Sequence, residues 1–325
     1  MRRWAGSVLR RRGAARWSPV LLLLVGGCAG GKIDLFTPKV SAQVEEWDFL
    51  GQRGRRIVTD HFEVYSTIPD KELEEALPTF LETAYRQYVA TVPPGPAAEQ
   101  RLQTYIFGSR RDWMGYTRMQ SPHRAPVYSK IRQGGYTEGS TSVLFYTTRS
   151  ATLATLAHEG WHQYAGSRFP NRLPPWLEEG LACYHESFYY EGSRPQFTPR
   201  HNTLRINSLR EAVQRGNLFP LRQIINTDAG QVILDHQARD TQVYYAQTWA
   251  LVTFLRHGRY AGAFSELLRD FAAGALPAAA GAARLTGPDP VGTSYGEAVF
   301  YAYFGTDLDR IEREYQDHLA RVAGF

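Results

Sequence analysis

Apolar and polar positions alternate between Ile57 and Tyr65, where His61 and Glu63 interleave with Phe62, Val64 and Tyr65. A period of two puts successive side chains on opposite faces and predicts a strand. After Asp70 the period lengthens. Leu73, Leu77, Phe80, Leu81, Tyr85 and Tyr88 fall on one helical face, with Asp70 placed to cap it and Pro93-Pro94-Gly95-Pro96 to stop it near Val92. Leu102 to Phe107 reads as a short strand and Ser109 to Met119 as a short helix. Val127 to Ile131 and Ser142 to Thr147, separated by Gly134-Gly135, read as further strands.

From Ser150 onward the pattern is helical. Ser150 suits the cap of a helix reaching Ala165, and Pro174-Pro175 suits the first turn of the next, through Tyr184. Residues 204–214, 242–257, 261–272, 294–304 and 308–322 continue in the same period, whereas 272–283 is Ala/Gly-rich and reads as a loop or a poor helix. Strands precede helices instead of alternating with them, so the class is α+β. A small mixed sheet with an edge strand occupies 56–149 and a mostly helical half occupies 150–325.

Composition changes this picture only at the N-terminus. The formal charge of +5 contains Arg2, Arg3, Arg10, Arg11, Arg12 and Arg16, which precede any acidic residue; without them the remainder stands at −1. A nucleic-acid partner is therefore not indicated. The arginines lead into the apolar run Val20 to Val25, too short to span a bilayer, and then into Gly26-Gly27-Cys28. This resembles a bacterial lipoprotein signal, which implies a signal peptide over 1–27, lipidation at Cys28, a tether over 28–55 and a cell-envelope location. Cys183, the other cysteine, sits in an apolar helical pattern and reads as core.

The chemistry concentrates at His158-Glu159-Gly160-Trp161-His162. On a helix His158 and His162 share a face, while Glu159 lies about 100° away, beside a metal and not on it. A catalytic zinc takes three protein ligands, so a third is needed. Pro174-Pro175-Trp176-Leu177-Glu178-Glu179-Gly180-Leu181-Ala182 offers Glu178 and Glu179 on the following helix, and Gly180 would let that helix approach the His-bearing one closely. Glu186, seven residues past Glu179, could orient a histidine, but a surface charge is the plainer reading.

These residues resemble the gluzincin metallopeptidases, which carry His-Glu-x-x-His on one helix and a zinc-binding Glu in Trp-Leu-x-Glu-Gly-Phe/Leu-Ala on the next. The resemblance assigns the third ligand to Glu179, and the sixteen-residue spacer after His162 points away from the aminopeptidase branch. It also covers Tyr245 to Leu255, similar to a gluzincin helix that opens on an oxyanion-stabilising tyrosine; position selects Tyr245 over Tyr244. With Phe304 to Glu312, the chain from about Val58 to Ala323 resembles a bacterial family of secreted peptidase MA-like proteins. The resemblance implies a zincin-like fold, Zn²⁺ on His158, His162 and Glu179, Glu159 as base, and a peptide or protein substrate. No free-amine-binding motif is recognisable, which tilts the expectation toward an endopeptidase. A membrane-anchored scaffold that keeps the fold without turnover is the alternative. Residues 134–136 and 143–146 are candidates for a strand that receives extended substrate.

Overall fold

The computed structural model describes residues 40–94, 100–131, 134–169, 171–235, 238–276 and 294–325; the signal segment 1–27 and Cys28 lie outside them. Strands β1 (Gln43–Phe49) and β2 (Gln52–Val58) open the fold as an antiparallel hairpin. β2 runs antiparallel to β3 (Phe62–Ser66), which lies parallel to β4 (Leu102–Phe107). β4 lies parallel to β6 (Thr141–Phe145), and β5 (Gly135–Glu138) pairs antiparallel to β6 at the sheet edge. The six strands form one mixed sheet in the order β1-β2-β3-β4-β6-β5, and the class is α+β.

Three local expectations fail here. The tether cannot extend to residue 55, because 43–49 and 52–55 are already strand. Ile57 to Tyr65 is two strands and not one: Thr59 N donates to Phe62 O at 2.9 Å and closes a turn. Val127 to Ile131 is not a strand either. It begins within the short helix α3 (Ala125–Tyr128), started by Pro126 in its first turn, and its buried side chains Tyr128 and Ile131 stand three apart, the helical spacing.

Helix α1 (Lys71–Thr91), capped by Asp70, packs against α4 (Arg149–Arg168). Both lie on the sheet face that carries Thr104 and Ser142, whose hydroxyls meet Gln163 and the Glu159 carbonyl of α4. Helix α2 (Arg110–Gln120) covers the other face of the same strands, with Trp113 Nε1 donating to Val143 O at 3.2 Å. The cap of α4 is Thr148 in place of Ser150, its hydroxyl accepting from Ala151 N at 3.2 Å. Arg149, the first helical residue, reaches across to Asp70 with Nε at 2.5 Å and Nη2 at 2.9 Å, which draws the helix start forward.

The helical half begins with α5 (Pro175–Tyr184), followed by a hairpin of β7 (Phe188–Glu191) and β8 (Arg194–Phe197) that the sequence pattern did not disclose. Then come α6 (Thr203–Arg215), α7 (Leu221–Asn226), α8 (Ala229–Asp235), α9 (Ala238–His257), α10 (Ala261–Ala273), α11 (Tyr295–Phe304) and α12 (Leu308–Ala323). α5 lies along α9, and Gly180 makes this contact possible. A Cβ there would stand 2.6 Å from Thr248 O and 2.5 Å from Val252 Cγ2. The close approach is thus to α9 and not to the His-bearing α4. Enclosed by the sheet, α1 and α5, helix α4 is buried on nearly every side, as a helix without a polar face must be.

Candidate metal centre

Four residues apart on α4, His158 and His162 turn their imidazoles toward α5, which folds back after the Pro174-Pro175 start to bring up Glu179. His158 Nε2 lies 3.5 Å from Glu179 Oε2, and His162 Nε2 lies 3.6 Å from the same oxygen. The three side chains are buried, at 0 %, 4 % and 2 % exposure. None of these three atoms has a hydrogen-bond partner among the described residues. Unpartnered polar atoms in such a place cost free energy unless something else engages them. A tetrahedral ion with bonds of about 2.1 Å holds its ligand atoms roughly 3.4 Å apart. Both distances to Glu179 fit that spacing, and these groups could hold a metal ion.

The other ring nitrogens are engaged. His158 Nδ1 donates to Glu186 Oε1 at 2.8 Å, and His162 Nδ1 to Glu178 Oε1 at 3.2 Å. With protons on Nδ1, each Nε2 keeps its lone pair for a cation. Glu179 therefore stands at the Nε2 side and Glu178, a neighbour in sequence, at the outer side of His162. Glu186 is not a surface charge. It is buried and locked by Arg205, whose Nε and Nη2 reach its two oxygens at 2.8 and 2.6 Å. A second group of possible ligand atoms, His158, Cys183 and Glu186, is accounted for by that hydrogen-bonded arrangement. Cys183 itself is a buried free thiol, its pKa pushed well up by burial.

Charge in the centre is set by opposing influences. Burial disfavours an ionised Glu179, but His162 and His158, in the protonated form that a bound ion would displace, outweigh it and hold its pKa at about 2. Burial is likewise overcome at Glu186, where Arg205 and His158 bring the pKa to about 2. Glu159 behaves differently: burial prevails and raises its carboxyl above the ordinary range. Its Oε2 accepts from Thr137 Oγ1 of β5 at 2.6 Å, whereas Oε1 is buried without a hydrogen-bond partner among the described residues.

The two tyrosines of α9 diverge. Tyr244 Oη donates to Thr227 O at 2.8 Å, and burial together with the nearby Glu179 carboxylate pushes its pKa well up. The fully buried Tyr245 ring meets the His158 ring edge-on, with centroids 5.8 Å apart. The strand reading of 134–136 falls largely on β5, the sheet edge beside α4. Sequence reasoning passed over Thr137 and Arg205. Thr137 follows directly on the singled-out Tyr136 in β5, a signal that was available. Nothing in the local pattern around Arg205 distinguishes it from an exposed helical arginine.

Residues 152–274 are similar to a family described as a protein of unknown function, DUF1570. The matched stretch holds the His, Glu and Arg residues of the centre together with Tyr245, and begins after β5. No curated protein matches the chain.

Proposed function

We propose that the protein is a zinc-dependent peptide hydrolase of gluzincin type. The observation that carries this reading is the convergence of His158 Nε2, His162 Nε2 and Glu179 Oε2 in a buried cluster, with the free Oε1 of Glu159 on the same helix. A set of two imidazoles and one carboxylate suits zinc and leaves room for the fourth position that a catalytic site needs. When bound, zinc supplies Lewis acidity toward a carbonyl oxygen and makes nearby water more acidic.

The chain's own residues would supply the remaining steps. Glu159 takes a proton from the attacking water at Oε1 and returns it to the leaving nitrogen, and its raised pKa suits a group that must both accept and release a proton near neutrality. Thr137 keeps Oε2 occupied and so leaves Oε1 as the proton carrier. Tyr245, against the His158 ring, donates its hydroxyl to the oxyanion as the carbonyl carbon becomes tetrahedral. The unpaired edge of β5 offers main-chain groups to an extended peptide.

The arginine-rich start, the short apolar run and Cys28 support an exported protein held at a membrane by lipid. Among the described residues no helix is long and apolar enough to cross a membrane. The test is cleavage of a peptide library read by mass spectrometry, with metal content measured alongside. We expect cleavage that a chelator abolishes and Zn²⁺ restores. Stoichiometric zinc with no cleavage of any peptide would instead favour the scaffold reading.

A further inference from the structure

Arg205 lies near the start of α6 and is fully buried, a place where an arginine is seldom found without a full set of partners. Besides the fork onto Glu186, its Nη1 donates to Gln242 Oε1 on α9 at 3.1 Å. Its guanidinium carbon stands 5.1 Å from the centroid of the Tyr245 ring. Asn202, the cap of α6, adds a hydrogen bond from Nδ2 to Glu186 Oε2 at 2.9 Å. One guanidinium thus contacts both the carboxylate that bonds His158 and the ring that packs against His158.

We infer that Arg205 is a positioning residue that holds Glu186, and through it His158, in the orientation that metal binding requires, while seating Tyr245 beside them. The inference rests on reading His158, His162 and Glu179 as a metal site. Glu186 follows the end of α5, so helical backbone does not fix its carboxylate plane. The planar fork of an arginine does fix it, and the point charge of a lysine does not. Were Arg205 needed only to neutralise a buried charge, lysine would serve, and so would removal of both charges.

The experiment measures Zn²⁺ affinity of the full chain by competition with a chelating dye, for wild type, Arg205→Lys and the double variant Arg205→Met/Glu186→Gln. Thermal melting is followed in parallel, and the visible spectrum of each protein loaded with Co²⁺ reports the ligand geometry. We expect Arg205→Lys to lose about 10- to 100-fold in affinity and to change the Co²⁺ spectrum. The double variant, which buries no unpaired charge, should stay folded and show a similar loss; it carries the test if the lysine variant does not fold. Wild-type affinity and an unchanged Co²⁺ spectrum in a folded double variant overturn the inference. A wild type that binds no Zn²⁺ overturns the metal-site reading and this inference with it. Zn²⁺ binding without peptide cleavage removes the hydrolase reading alone, and the comparison of variants still decides the role of Arg205.

Discussion

Thr137 Oγ1 lies 2.6 Å from Glu159 Oε2, a bond that ties the edge strand β5 to the only carboxylate on α4. The same hydroxyl also meets Ser142 Oγ at 2.8 Å, so its position is fixed from the sheet side. On the proposed function, substrate laid along β5 would be held by the strand that also orients Glu159. Thr137→Val keeps the shape and removes the donor. A lost hydrogen bond to a charged group corresponds to about 2 kcal/mol, or roughly a 30-fold fall in kcat. Zinc content should be unchanged, and Thr137→Ser should restore most of the rate. Steady-state kinetics with metal analysis decides it, and an unaffected kcat in the valine variant would remove Thr137 from the argument.

Glu159→Gln should retain zinc and lose at least about a thousandfold in kcat, because the amide cannot take the proton. Glu179→Ala should lose the metal itself, since two imidazoles alone make a weak site. Metal content by mass spectrometry separates the two outcomes. A glutamine variant that turns over at the wild-type rate would rule out Glu159 as base.

Tyr245→Phe and Tyr244→Phe provide an internal comparison. Loss of an oxyanion donor costs about 3 kcal/mol, roughly 10²-fold in kcat. That loss is expected at Tyr245. Tyr244→Phe removes a bond to Thr227 O and should appear in thermal stability, with kcat nearly unchanged. The reverse pattern would exchange the two assignments.

Gly180→Ala should destabilise the fold by about 2–3 kcal/mol, because the new methyl meets the backbone of α9, which cannot rotate away. Urea denaturation is the measurement. A variant as stable as wild type would mean that α5 and α9 are less closely packed than described.

Asp70 predicts a pH effect remote from the centre. Burial alone would raise its carboxyl, but the hydrogen bonds from Arg149 and from Leu73 N outweigh it and lower the pKa below the ordinary 3.8. A depressed carboxylate stabilises the fold above its unfolded-state value, and that stability is lost as pH falls through the folded one. Asp70→Asn should therefore be less stable at neutral pH by about 1 kcal/mol, since Arg149 is partly solvated. The gap should close below pH 3.8. A gap that does not narrow as the pH falls below 3.8 would point to a source other than the Asp70 charge.

Legibility in the sequence followed the range of the interactions involved. The α4 motif and the α5 segment could be read because a helix translates a spacing of four into a shared face without outside help. Helix α1 was legible for the same reason, down to its cap at Asp70. β1 was not, because its residues are exposed along most of its length and carry no alternation; pairing with β2 makes it a strand. The burial of Glu186 is not legible locally, because it depends on Arg205, nineteen residues on, and burial of that pair is a property of the assembled interior. Gly180 does mark a close approach, but to α9, from a segment some seventy residues away, and not to the His-bearing helix that the sequence suggests.

Two contacts along α4 set its axial position: Arg149 on Asp70 at its start, and Tyr88 Oη donating to Ala157 O at 2.7 Å next to His158. Gly160 admits this tyrosine, since a Cβ there would stand 2.6 Å from Tyr88 Oη. Each residue advances a helix by about 1.5 Å. A slip of α4 along α1 by a single residue would thus carry His158 and His162 about 1.5 Å past Glu179, more than a coordination bond tolerates. Tyr88 and Asp70 touch no ligand atom, yet they serve as the detents that keep the histidine helix in step with the carboxylate opposite.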